Sequence, residues 1–262
     1  MAGPDLKLFG RLGIGGERSP DGSVTLRPYP QICAKGVVRP AVLALVVDMM
    51  GGFVAEAGTG TDWIFTSDLS LRAPARRIPG EVVATGRALR TGRGIVGTDV
   101  VLRENGEVFA YGQAGFVRMP RRHGDPPHPH LHENRVRNDL PPLDRPLVDE
   151  VGLRVLDPSR GGVEVEMTDA LRNPAGAMQG AIVALVAEVS AECLADHGRG
   201  SAQIVTDLDV RYLAMGREGP VAGNAEWIGG PESGALRVEL RDRGARDRLM
   251  AAALARVAPA PA

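Results

Sequence analysis

The chain has 262 residues, room for one large domain or for two of roughly 130 residues each, and its 31 basic and 32 acidic side chains leave a formal net charge of -1. With a sequence pI near 6.5, no charge excess draws it to nucleic acid or to an anionic membrane surface. Wholly apolar runs such as Ala41 to Val47 stop at seven residues, far short of the ~20 that a spanning helix needs. The opening Met-Ala-Gly-Pro-Asp has neither the basic start nor the apolar stretch of a signal peptide. Cys33 and Cys193 have no metal-ligand or redox spacing, so the expectation is a cytoplasmic protein with free thiols.

Taken in chain order, the first strong element is an apolar run opened by Pro40, whose fixed φ and missing N–H suit a first helical position. Loose alternation then predicts antiparallel strands over Glu81 to Leu89, Gly97 to Arg103 and Val108 to Val117. From about Pro120 to Pro146 the chain is rich in proline, histidine and charge without apolar periodicity, which reads as a linker. A second apolar helix is predicted from Gly180 to Ala195, with Gly198 placed to stop it. Strands follow over Gly219 to Trp227, Ala235 to Arg241 and Leu249 to Val257, the last alanine-rich enough to pass for a helix. Both helices are apolar on nearly every side, which predicts burial against a sheet.

The pattern occurs twice, and so do the residues. Ala34 to Asp48 aligns with Pro174 to Glu188 at an offset of 140, placing Gly36 on Gly176, Ala41 on Ala181, the Ala-Leu-Val triplets on each other, and Asp48 on Glu188. Ser67-Asp-Leu-Ser-Leu-Arg72 then matches Thr206-Asp-Leu-Asp-Val-Arg211 at offset 139, and Arg103-Glu-Asn-Gly106 matches Arg241-Asp-Arg-Gly244 at offset 138. An offset that drifts while order is kept is the mark of a diverged duplication.

One buried helix wrapped by an antiparallel sheet, present twice, is the architecture of a tandem hotdog fold of the α+β class. The run Asn173-Pro-Ala-Gly-Ala-Met-Gln179-Gly180-Ala-Ile-Val-Ala-Leu-Val-Ala-Glu188 resembles the PaaI-like acyl-CoA thioesterases, which carry an Asn or Gln, a His-Gly-Gly-type turn opening the helix, and an acid about two helical turns in. Arg72 to Arg77 and Arg211 to Gly216 look like the loop after that family's third strand. The resemblance spans roughly 220 residues. It departs from the family at Gln179, which stands in the usual His place, and at Ala181, in that of the second Gly. It implies domains over 1–119 and 147–262 joined by the linker 120–146, and hydrolysis of a fatty or aryl acyl-CoA thioester with no metal or other cofactor.

The chemistry explains the spacing. A backbone N–H in the first helical turn, aided by the helix dipole, stabilises a developing oxyanion, and Gly180 is placed to supply it. Asn173 could add a second donor and Gln179 could orient the pair. An acid eight residues further lies ~12 Å along the axis, too far to act at the same carbonyl. In relatives the acid comes from the neighbouring hotdog unit, and here the neighbour is the other half. One site would therefore join Gly180, Asn173 and Gln179 to Asp48, with Thr66 or Ser67 as the hydroxyl holding the water. The second would set Glu188 and Thr206 against Cys33, Arg39 and Pro40. Proline has no N–H to give, so the second site is expected to be degenerate. Arg72, Arg76, Arg77 and Arg217 are candidates for the phosphates of CoA, since guanidinium suits phosphate.

Other signals carry less. Gly92-Arg-Gly-Ile-Val-Gly97 has the letters of a dinucleotide fingerprint but opens a strand. His123, His128, His130 and His132 have a metal-like spacing but sit in the linker. No Gly-x-Ser-x-Gly elbow is present, and His197 is the only histidine outside the linker, which tells against a hydratase. The competing reading is a catalytically silent acyl-CoA or acyl-ligand binding module. The expected partner is the acyl-CoA substrate, with neither nucleic acid nor membrane, in a homo-oligomer.

Overall fold

A computed structural model describes residues 7–17, 19–57, 62–120, 135–136 and 140–261. The elements before the first long helix are short: α1 (Lys7–Gly10), β1 (Ile14–Glu17), β2 (Val24–Leu26), and a small hairpin of β3 (Cys33–Ala34) and β4 (Val37–Val38). Helix α2 (Pro40–Glu56) then begins on Pro40, and every residue from Pro40 to Val47 is buried. It runs through Gly51, where a Cβ would meet the Thr98 hydroxyl at 2.6 Å; only glycine lets the helix lie that close to the sheet. Strands β5 (Trp63–Arg72), β6 (Val82–Thr91), β7 (Ile95–Glu104) and β8 (Glu107–Met119) complete this half.

The second half repeats the plan with β9 (Arg135–Val136) before it, then α3 (Leu147–Glu150), β10 (Arg154–Asp157), β11 (Gly162–Val165), α4 (Gly180–Arg199), β12 (Gln203–Tyr212), β13 (Val221–Trp227), β14 (Ala235–Asp242) and β15 (Arg248–Pro259). Helix α4 outruns the predicted end: Gly198 lies inside the last turn against the Trp227 ring, and Gly200, at φ 63°, makes the left-handed stop. The alanine-rich tail is a strand. Ala251, Ala253 and Ala255 are buried, and such small side chains let α4 pack closely on it. The glycine-rich run at 92–97 is a tight turn, with the Gly92 N–H bonded to the Ile95 carbonyl at 2.8 Å, leading into β7.

The long strands form one 13-stranded antiparallel sheet in the order β10-β11-β13-β14-β15-β12-β5-β8-β7-β6-β2-β1-β9. Read outward from the central β12–β5 pair, each side gives the same succession: the strand after the helix, the last strand, the third, the second, then the two that precede the helix. Helix α2 packs on the β5 side and α4 on the β12 side, and the helices also touch each other. Because β5 and β12 are antiparallel, the halves are related by a two-fold-like turn. Each central strand carries a bulge at the equivalent place, between Thr66 and Asp68 in β5 and between Val205 and Asp207 in β12.

Part of the predicted linker lies among the described residues. Its four histidines lie outside the described residues. Arg135 and Val136 add a strand beside β1, and the segment from Leu140 onward is docked, not solvated. Leu143 is buried, and Arg11 bonds the Pro141 and Pro142 carbonyls and the Asp144 carboxylate. No helix among the described residues is long and apolar enough to cross a membrane. Cys33 and Cys193 are unpaired.

Candidate active site

Asp48 sits in the third turn of α2, half-buried where the helix faces β5. The Thr66 hydroxyl donates to its Oδ1 at 2.6 Å. Burial pushes the carboxyl up to about 6, against the lowering effect of that hydrogen bond,. Thr66 can face the helix because of the bulge. Further along β5 the inward residues are Leu69 and Leu71, of odd number, and the extra residue shifts the alternation so that the even-numbered Thr66 also points inward. This corrects the alternative at Ser67, which is the extra residue: its hydroxyl is shared between Asp68 Oδ2 at 2.8 Å and the Gly115 carbonyl at 3.1 Å, away from Asp48.

On the other side, Gln179 caps α4, and its Oε1 accepts the Ala181 N–H at 3.2 Å. It serves its own helix. Asn173 builds the preceding turn, its Oδ1 accepting the N–H groups of Ala175 and Ala177 at 3.0 and 3.1 Å. These bonds hold Gly176 in its left-handed conformation, φ 75°, and leave only the Nδ2 hydrogens of Asn173 to meet anything else. The Gly180 N–H, first in the helix, has no acceptor among the described residues. It is an unused donor at the positive end of a 20-residue helix,.

The residue that sequence reasoning missed is Tyr212, at the end of β12. Its hydroxyl donates to the Gly180 carbonyl at 3.1 Å, and its phenol is pushed upward by burial and by the charge of Asp48. It bonds the first residue of α4 and lies close enough to Asp48 to feel its charge. A signal was present: at offset 139 Tyr212 falls on Ala73, a large residue against a small one.

The second site is filled by an ion pair. Glu188, with no exposure, accepts from Arg39 Nη1 at 2.7 Å and from the Ala41 N–H at 2.7 Å. Lys35 stands beside it, 2.7 Å from Asp196 and 3.5 Å from Glu192. Glu192 is driven to about 7, chiefly by burial and then by Glu188. Thr206 does not serve Glu188, contrary to expectation. It is the bulge residue of β12, and its hydroxyl donates to the Arg256 carbonyl at 3.3 Å; the inward position belongs to the buried Val205. The Cys33 thiol donates to the Tyr29 carbonyl, at 3.4 Å.

The four arginines separate. Arg72 alternates with Leu71 onto the outer face of the sheet and grips Asp209 with two bonds of 3.0 and 2.8 Å. Arg76 bonds Glu104 at 2.7 Å and lies over the Phe109 ring, 4.9 Å from its centre. Both guanidiniums are engaged by carboxylates of the chain itself. Arg77 and Arg217 occupy similar places though they do not align in the repeat, each with its guanidinium 3.5 Å from where a Cβ would stand on the glycine of the turn before a helix, Gly36 and Gly176. Arg217 is exposed beside the α4 turn, and the partner of its Nη2 is the Met215 sulfur at 3.2 Å. Among the described residues no three His, Cys, Asp or Glu side chains are grouped as a metal site would need.

No protein-family model matches the chain, and no curated protein is significantly similar to it in sequence. Solved structures are similar. An acyl-ACP thioesterase from Bacteroides thetaiotaomicron matches with a TM-score of 0.59 at 10% identity, over 90% of this chain and 97% of that one. The tesB protein of Mycobacterium avium subs paratuberculosis gives 0.61 at 11%, over 97% and 98%. A conserved protein with hot dog fold from Alicyclobacillus acidocaldarius gives 0.57 at 16%, over 92% and 94%. At such identities the likeness is one of fold, and what this chain shares with them is the hotdog fold.

Proposed function

We propose that the chain is an acyl-CoA thioesterase of PaaI-like type, built from two hotdog units (1–119 and 147–262) joined by 120–146, with one composite site made by both. The observation that carries this reading is the contact between Glu188 and the Ala41 N–H at 2.7 Å. It is an acid eight residues into one helix meeting the first turn of the other, the reach that the composite site requires. Asp48 holds the equivalent place in α2 with one methylene less. Its bond is to Thr66.

In this scheme the thioester carbonyl oxygen takes the Gly180 N–H, and the helix dipole favours the charge that develops there. Asp48 removes a proton from water as the water oxygen bonds to the carbonyl carbon, or attacks that carbon itself to give, after thiolate loss, a mixed anhydride that water then hydrolyses to the free acid and the Asp48 carboxylate. The tetrahedral adduct collapses by breaking the C–S bond, and the CoA thiolate leaves and is protonated. A carboxyl lifted to about 6 is mostly ionised at neutral pH yet basic enough to accept that proton. Arg217 would meet a CoA phosphate beside the turn.

The test is a panel of fatty and aryl acyl-CoA thioesters with release of CoA followed by a thiol reagent, for wild type and Asp48→Asn. Turnover that requires Asp48 supports the proposal. One observation favours a silent acyl-CoA binding module instead: Gln179, in the place of the family's His, turns back onto its own helix. That reading holds if no thioester is hydrolysed while a CoA derivative raises Tm.

A further inference from the structure

We propose that Tyr212 is a positioning residue: with Gln179 it clamps the Gly180–Ala181 peptide, so that the start of α4 is held without using the acid from the other half. This rests on the composite site proposed above. The peptide is gripped at both ends, its carbonyl by the Tyr212 hydroxyl at 3.1 Å and its N–H by Gln179 Oε1 at 3.2 Å. First turns are where helices fray, because their N–H groups have no intrahelical partner. Here the turn is tied to β12, a strand bonded to β5, which carries Thr66.

The other half shows what the clamp replaces. At the start of α2 the equivalents of Gln179, Gly180 and Tyr212 are Arg39, Pro40 and Ala73. There the Ala41 N–H is held by Glu188 itself, with Arg39 as its counter-ion. Securing that helix occupies the acid. At α4 two neutral side chains perform the same task, which leaves Asp48 bonded to a threonine and the Gly180 N–H unfilled. The three positions differ as a set: a charged clamp where the acid is structural, a neutral clamp where it is not.

The Gly180 amide can be watched alone. Gln179–Gly180 is the only Gln-Gly pair among the four glutamines of the sequence, so carbonyl-13C glutamine with 15N glycine gives one carbonyl-to-amide signal. Tyr212 and Thr66 are the polar side chains facing Asp48 from β12 and β5, and neither is charged at neutral pH. In the wild type this signal is expected to shift with a midpoint near 6, the value of Asp48, and in Asp48→Asn to lose that shift. Tyr212→Phe keeps the ring but not the bond to the Gly180 carbonyl. It is expected to move and broaden the Gly180 signal, to keep the midpoint, and to lower kcat about tenfold to a hundredfold with KM unchanged. Tyr212→Ala, which also opens Asp48 to water, is expected to bring the midpoint down. A Tyr212→Phe protein with wild-type kcat and an unmoved Gly180 signal overturns the proposal. So does one that loses only Tm. If the wild type hydrolyses no thioester, the thioesterase reading fails, and the Gly180 signal of Tyr212→Phe still decides the clamp.

Discussion

At the scale of single residues, Asp48 works against the stability of its own fold. Its carboxyl rises from 3.8 to about 6 on folding, so the folded chain holds the proton more tightly than the unfolded one. Stability therefore falls as pH rises from about 4 to about 6 and stays lowered above that. Asp48→Asn should raise Tm at pH 8 and hardly change it at pH 4, while removing most of kcat at pH 8. Equal Tm shifts at the two pH values would refute burial as the cause. In the wild type, kcat/KM should climb through an apparent pKa near 6 as the base ionises. Arg217→Ala should raise KM for CoA thioesters, more at low salt than at high, with kcat little altered. Arg76→Ala should leave KM alone, because that guanidinium already serves Glu104. Asp48, Gly180 and Glu188 were legible in the sequence because each sits at a fixed place in a repeated pattern, an acid in an apolar run or a glycine at a helix start. Tyr212 was not. Alternation shows that it points inward, but its target is 32 residues away in sequence, and no local spacing encodes that meeting.

At the scale of elements, the two long helices are alike in burial and unlike in how they begin. The start of α2 depends on a buried ion pair, and Arg39 Nε has no partner among the described residues, so the pair is poorly compensated as it stands. Glu188→Gln would leave the guanidinium buried beside a neutral group. A loss of about 3 kcal/mol is expected, measured by urea unfolding, with kcat of the folded enzyme within a few-fold of wild type. Loss of activity in folded Glu188→Gln, with Asp48→Asn active, would mean that each acid serves its own half. The two long helices and the strands β6, β7, β8, β13 and β14 were legible from apolar content and alternation, whereas the central β5 and β12 were seen only as matching repeat segments and β15 was left open between strand and helix. The two-residue strands β3, β4 and β9 were not legible, because so short a pairing leaves no periodicity. The end of α4 was misread because Gly198 serves close packing against Trp227 and Gly200 serves the turn; composition cannot tell these uses of glycine apart.

At the scale of the whole molecule, the arrangement makes the number of sites a measurable quantity. With Glu188 seated on the first turn of α2, a non-hydrolysable CoA thioether should titrate calorimetrically at one per chain. A stoichiometry of two would show that the ion pair yields to ligand. The like succession of strands on the two sides of the sheet agrees with the drifting offset, and the central β5–β12 pairing follows only once both helices must share one face of one sheet.

The bulge that β5 and β12 share bears on ancestry. Two halves with so few identical residues would hardly acquire the same irregularity at the same point independently, so on the tandem reading it predates the joining. The ancestor was then a single unit that met its twin as a symmetric pair, and in such a pair every substitution is made twice. A charged clamp would have stopped both centres, and a neutral one would have kept both open. Once the two copies lay on one chain, Thr66 and Val205 on either side of that inherited irregularity were free to diverge, and one copy could keep the chemistry while the other took over cohesion.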